Sequence, residues 1–157
     1  MEEKSTITRK SFLRTAGSTA LFTALGIGFY GCSSSVTGSD DGGGDLSDEA
    51  FTVEGNVITI DLDHPDAQDL LNDGAWKLIT EGETLLVNIG DENFRAFTSV
   101  CTHAQCSTNW DFRDDEFICN CHNSKFNTSG QVVSGPATRD LEEFSVSRDE
   151  NTLTITK

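Results

Sequence analysis

Cys101-Thr102-His103-Ala104-Gln105-Cys106 and, twelve residues on, Cys119-Asn120-Cys121-His122-Asn123-Ser124-Lys125-Phe126 decide how this chain is read. Four of the five cysteines and two of the three histidines fall in these two short boxes. Thiolate and imidazole both ligate transition metals, and gathering them in two loops points to a metal site. Cys101-x-His103 and Cys119-x-x-His122, separated by fifteen residues, could hold zinc tetrahedrally. Each box also carries one cysteine beyond that set, Cys106 and Cys121, which a Cys₂His₂ zinc module does not need. The third histidine, in Asp63-His64-Pro65, lies far from the boxes and reads as a surface loop residue.

The boxes resemble those of Rieske iron–sulfur proteins, whose usual forms are Cys-Thr-His-x-Gly-Cys and Cys-x-Cys-His-Gly-Ser. The resemblance covers roughly the last hundred residues. It implies one [2Fe–2S] cluster, with Cys101 and Cys119 holding one iron through thiolates and His103 and His122 holding the other through imidazole nitrogen. It also implies a Cys106–Cys121 disulfide, the mark of the family's quinol-oxidising branch. Two ferric ions, two sulfides, two thiolates and two neutral imidazoles make a neutral oxidised site. A four-thiolate cluster is negative and resists another electron. Histidine ligation therefore raises the potential, into a range of roughly −150 to +300 mV.

Further positions bear on that tuning. Ser124 matches the family serine whose hydroxyl donates to a bridging sulfide. Phe126 stands where the high-potential branch has a tyrosine that donates to a ligand sulfur, so the expected potential is below that of typical quinol-oxidising members. Gln105 and Asn123 replace two family glycines. Asparagine tolerates positive φ better than most residues, whereas glutamine has no such allowance. Ser134-Gly135-Pro136-Ala137 is a turn by its own chemistry, and the resemblance makes it a third loop over the cluster, with Leu141 and Phe144 leading into the next strand.

Outside the boxes the pattern is all-β. Val57–Leu62, Ala75–Ile79, Thr84–Ile89 and Phe94–Thr98 read as short strands, the last three as a meander of hairpins running into the first box. Glu116–Ile118 feeds the second box. Gln131–Val133, Glu143–Val146 and Thr152–Ile155 follow, with a hairpin turn at Asp149-Glu150-Asn151. Asp66–Asn72 reads as a helical turn after Pro65. Trp76 and Trp110 read as packing residues. The expected fold is a Rieske-type antiparallel β-sandwich over residues 50–157, with a small cluster-binding subdomain of loops at about 98–137.

The N-terminus is built differently. Residues 1–31 read as a targeting segment: Thr8-Arg9-Lys10-Ser11-Phe12-Leu13-Arg14 looks like a twin-arginine export motif with lysine in the second place. A hydrophobic run of about fifteen residues follows, short of the about twenty needed to span a bilayer. Phe29-Tyr30-Gly31-Cys32 suits a lipoprotein cleavage box, with Cys32 lipidated; the rival is an uncleaved anchor helix. Residues 32–49, rich in Ser, Gly and Asp, read as a flexible linker. The expected location is the periplasmic side of a bacterial cell envelope, anchored to the membrane. A structural disulfide fits such an oxidising compartment.

The chain carries a net charge of −15, with 26 acidic against 11 basic residues, and four of the basic ones lie in the targeting segment. This excludes nucleic acid, whose phosphates call for the opposite sign. The function implied by the resemblance is one-electron transfer in a membrane-associated respiratory chain, within an oxidoreductase complex of the quinol–cytochrome c reductase type. His122, and beside it His103, would contact quinol or a soluble redox partner and pass the electron on. Two other readings stay open: the small electron-transfer subunit of a periplasmic molybdenum oxidoreductase of the arsenite oxidase type, and a zinc-stabilised binding module. No separate catalytic pocket is visible in the sequence.

Overall fold

Ile58 and Ile60 are buried while Val57, Thr59 and Asp61 are not, the period-two pattern of a strand with one face in a core. In a computed structural model, which describes residues 43–157, this strand belongs to an antiparallel sheet of seven. The strands in chain order are β1 (Phe51–Glu54), β2 (Val57–Asp61), β3 (Trp76–Ile79), β4 (Thr84–Asn88), β5 (Phe94–Thr98), β6 (Trp110–Arg113), β7 (Glu116–Cys119), β8 (Ser124–Asn127), β9 (Val132–Ser134), β10 (Glu143–Asp149) and β11 (Thr152–Thr156). The large sheet runs β1-β2-β11-β10-β5-β4-β3, and β6-β7-β8-β9 form a second sheet of four. The helical turn after Pro65 is a short 3₁₀ segment, Gln68–Leu71. Cys32, residues 1–31 and the twin-arginine-like motif lie outside the described residues.

The strand β10 carries the large sheet from one half to the other. Glu143 and Phe144 pair with β5, and Ser145–Asp149 pair with β11. Side chains from β2 and β11 (Ile58, Ile60, Leu153, Ile155) meet Ile79, Leu86 and Ala96 from β3–β5 in one core. The opposite face of the same three strands, Trp76, Leu78, Leu85, Val87 and Phe97, meets Phe112, Phe117 and Phe126 of the small sheet in a second core. Both faces of β3 and β4 are therefore covered, and every residue of each is buried. That is why Leu85-Leu86-Val87 shows no alternation. Asn88 closes the end of β4: its amide donates to the Leu70 carbonyl at 2.9 Å and its oxygen accepts the Gly90 N–H at 2.9 Å.

Two differences from the sequence reading stand out. The strands β1, β6 and β8 were not expected: β1 and β6 alternate apolar and polar residues over only four positions, and pairing with β2 or β7 makes all three strands. The linker also ends sooner than its composition suggests. Within 43–49, the Leu46 N–H donates to the Leu78 carbonyl and the Leu78 N–H to the Gly44 carbonyl, both at 3.0 Å. The Thr80 hydroxyl donates to the Asp45 carboxylate at 2.6 Å, and Leu46 is buried in the first core. The open edge of β3 pairs with this segment, which outweighs the polar composition of its neighbours. Leu46→Ala should then cost about 2–4 kcal/mol in urea unfolding, while Asp48→Ala changes stability by less than about 0.5 kcal/mol. Equal, small effects would return residues 43–49 to the linker.

Candidate metal centre

The first box leaves β5 through Ser99 and Val100, and the second joins β7 to β8. Both close by the same local device. The Gln105 N–H donates to the Cys101 carbonyl at 2.9 Å, and the Asn123 N–H donates to the Cys119 carbonyl at 2.8 Å. The two closing residues sit at φ 58° and 60°. This is the left-handed region, where the family's glycines would cost nothing and a side chain costs about 1–2 kcal/mol. Gln105 adopts the turn nonetheless, with its side chain exposed to solvent. The departure at this position is thus absorbed as backbone strain.

The closed turns bring the expected residues together in three pairs. Cys101 and Cys119 are free thiols, 2 % and 1 % exposed, and both belong to the second core. His103 and His122 are exposed, with ring centroids 4.6 Å apart at an interplanar angle of 77°. Cys106 and Cys121 are joined as a disulfide that ties one box to the other, with a Cα–Cα distance of 6.6 Å. The Sγ atoms of Cys106, Cys119 and Cys121 all lie within 4.8 Å of one another. Two of these three sulfurs are bonded together, so the trio is not a ligand set while the disulfide stands. His64 is no part of the site; its Nδ1 accepts the Asp66 N–H at 3.3 Å.

The third loop fits against the second box. Gly135 has φ 93°, and a Cβ there would lie 2.5 Å from the Asn123 carbonyl oxygen and 2.6 Å from the Ser124 Cα. Only glycine allows that approach. Ser124 is fully buried, and its Oγ accepts the Ala137 N–H at 3.1 Å, which leaves the hydroxyl hydrogen free to be donated elsewhere. Phe126 is fully buried beside Trp110, ring centroids 5.8 Å apart. Two positions escaped the sequence reading. The Thr102 hydroxyl donates to the Arg139 carbonyl at 2.6 Å, tying the first box to the segment after the third loop. Trp110 does more than pack: its indole N–H donates to the Ser99 carbonyl at 2.8 Å and pins the entry to the first box. Neither residue carries a spacing signal that names its partner.

Burial, followed by the hydrogen bond from Cys101, raises the Cys119 thiol from 9.0 to about 11. Cys119 is therefore a neutral thiol at pH 7 and must release a proton to become a ligand. The donor set offers two soft sulfurs inside and two imidazoles outside. That suits an iron–sulfur cluster with mixed ligation.

Residues 64–145 match the Rieske [2Fe-2S] domain. The chain belongs to this family. Its cofactor is a single [2Fe–2S] cluster held in the cysteine-rich loops. A cytochrome b6-f complex iron-sulfur subunit of Chlorobaculum thiosulfatiphilum is 31 % identical over 87 residues, 54 % of this chain and 48 % of that protein. The subunit of the same name from Trichodesmium erythraeum is 32 % identical over 127 residues, 81 % of this chain and 65 % of that one. The Rieske domain here thus spans about half to two thirds of the length of these curated relatives. Among solved structures, the cyanobacterial plasma membrane Rieske protein PetC3 from Synechocystis aligns at a TM-score of 0.43 with 27 % identity, over 47 % of this chain and 76 % of that one.

Two expectations follow from the geometry. Gln105→Gly should relieve the left-handed strain and raise stability by about 1 kcal/mol, whereas Gly135→Ala should lower it by about 2–3 kcal/mol, both read by urea unfolding. The cluster-free protein should also lose stability as pH rises from about 9 towards 11. A folded-state pKa raised above the unfolded value stabilises fully below the unfolded pKa and loses that contribution as pH passes through the folded one. Cys119→Ser should flatten this part of the pH–stability curve.

Proposed function

We propose that the domain carries single electrons through a [2Fe–2S] cluster held by Cys101, His103, Cys119 and His122. We further propose that it does so as the Rieske subunit of a membrane-associated, quinol-oxidising complex of the cytochrome b6f type. The observation that carries this reading is the split of the donor set, with both thiols buried and both imidazoles exposed side by side. The names of the curated relatives, iron–sulfur subunits of cytochrome b6-f complexes, favour the same partner.

When bound, the cluster supplies a one-electron couple, and its mixed ligation places the potential above that of four-thiolate clusters. Cys101 and Cys119 would hold the group as thiolates from within the second core. His103 and His122 present the other half to solvent, so a docking partner meets imidazole first. His103 and His122 would each hold the group through one ring nitrogen and keep the other free to carry a proton, so that a partner could exchange a proton where it exchanges an electron. The hydroxyl of Ser124 can be donated towards a sulfide, whereas Phe126 has nothing to donate. The protein is an electron-transfer subunit of an oxidoreductase complex rather than a catalyst by itself.

The proposed location is the periplasmic side of the envelope membrane. The twin-arginine-like motif and Gly31-Cys32 support export and lipid anchoring at Cys32. A twin-arginine route carries folded proteins, which suits a domain loaded with its cluster before crossing. The test is electron paramagnetic resonance of the dithionite-reduced protein with a redox titration alongside. A rhombic signal with average g below that of four-cysteine ferredoxins is expected; a colourless, silent metalloprotein would sink the electron-transfer reading. Phe126→Tyr should raise the midpoint by about 20–60 mV, one hydrogen bond in a one-electron couple.

A further inference from the structure

We propose that, while the Cys106–Cys121 bond is absent, Cys101, Cys106, Cys119 and Cys121 form a tetrahedral all-thiolate site for a single divalent cation of the zinc class. Three of the four sulfurs already lie within 4.8 Å of one another, and the fourth, Cys101, is buried in the same core cluster as Cys119, against which Cys106 packs. In a tetrahedral site with Zn–S of about 2.3 Å the sulfurs sit about 3.8 Å apart, so the three must draw together and Cys101 must move in to join them. Each loop also closes on itself through its own backbone. The Cys101 N–H donates to the Cys106 carbonyl at 2.9 Å, and the bonds from Gln105 to Cys101 and from Asn123 to Cys119 close both turns through the backbone. Cutting the S–S bond therefore frees two thiols on loops whose own turns stay closed.

The chemistry balances simply. A dithiol or phosphine reductant supplies two electrons, the S–S bond breaks, and Cys106 and Cys121 each take up a proton. Binding the cation then forms four metal–sulfur bonds and releases four protons from the four thiols. Four thiolates outcompete a set of two thiolates and two imidazoles for a soft-accepting cation. Once formed, the disulfide removes half of the all-sulfur set. A domain that acquires metal before meeting an oxidising compartment is exposed to zinc capture. The inference concerns the loops alone and stands apart from the electron-transfer reading.

The full chain, freed of its cluster, is titrated anaerobically with Co²⁺ as a coloured stand-in and then with Zn²⁺, before and after reduction. The deciding variant is His103→Ala with His122→Ala, which removes the mixed set and spares the four cysteines. Its reduced form should bind one equivalent of Zn²⁺ at least about 100-fold tighter than its oxidised form, with thiolate-to-cobalt charge-transfer absorption in the Co²⁺ adduct. Adding Cys106→Ser and Cys121→Ser should abolish the gain. Equal affinity in the two redox states, or a gain that survives the serine substitutions, overturns the proposal. The unsubstituted chain gives a second reading free of mutation: reduction should shift its Co²⁺ spectrum towards all-sulfur ligation, and an unchanged spectrum overturns the proposal as well.

Discussion

Burial of the three strands β3, β4 and β5 on both faces is the constraint on which the rest of the domain depends. One face closes the core with β2 and β11, and the other supports the small sheet that carries the second box. Phe117, in the strand that leads into Cys119, stacks edge-on against Phe97 at 6.0 Å and Trp76 at 6.3 Å. The loops that hold the thiols are thus mounted on a packed aromatic layer. Loops borne by such a layer can keep strained turns in place that would relax on a mobile segment.

The strain is local and patterned. Gln105 and Asn123 close their boxes in the same left-handed conformation, and each captures the carbonyl of the cysteine four residues earlier. Gly135 brings the third loop onto the backbone of the second box at a distance no other residue allows. Together with the disulfide and the Thr102–Arg139 bond, these contacts fix three loops to one another without a helix or a long strand. The candidate ligands are placed by backbone closure, and the side-chain chemistry follows from that placement.

Burial then divides labour within the donor set. The two thiols are cut off from water, and burial holds Cys119 as a neutral group. The two imidazoles face solvent, where a partner or a proton can reach them. An electron carrier needs this asymmetry: a closed inner side to exclude water and an open outer side for exchange. The acidic balance of the chain adds long-range repulsion towards polyanions and attraction towards basic surfaces.

Much of this was legible in the residues. Two boxes with fixed Cys and His spacing pointed to the candidate donor set, because ligand chemistry tolerates few side chains. Alternation and turn residues reported the β3–β4–β5 meander and the final hairpin, because a half-buried strand has a period of two. Sequence by itself could not show that Leu46, set among Gly, Ser and Asp, is buried against β3, since pairing with an open sheet edge depends on a partner about thirty residues away. Nor did it mark β1, β6 and β8, which become strands by pairing with β2 or β7. That Gln105 would accept a glycine conformation was likewise decided by the tertiary structure, because the strained turn is held by contacts on every side of it. Composition and spacing determined which chemistry the chain can perform; long-range packing decided which of its polar segments are structure, and where the strain is kept.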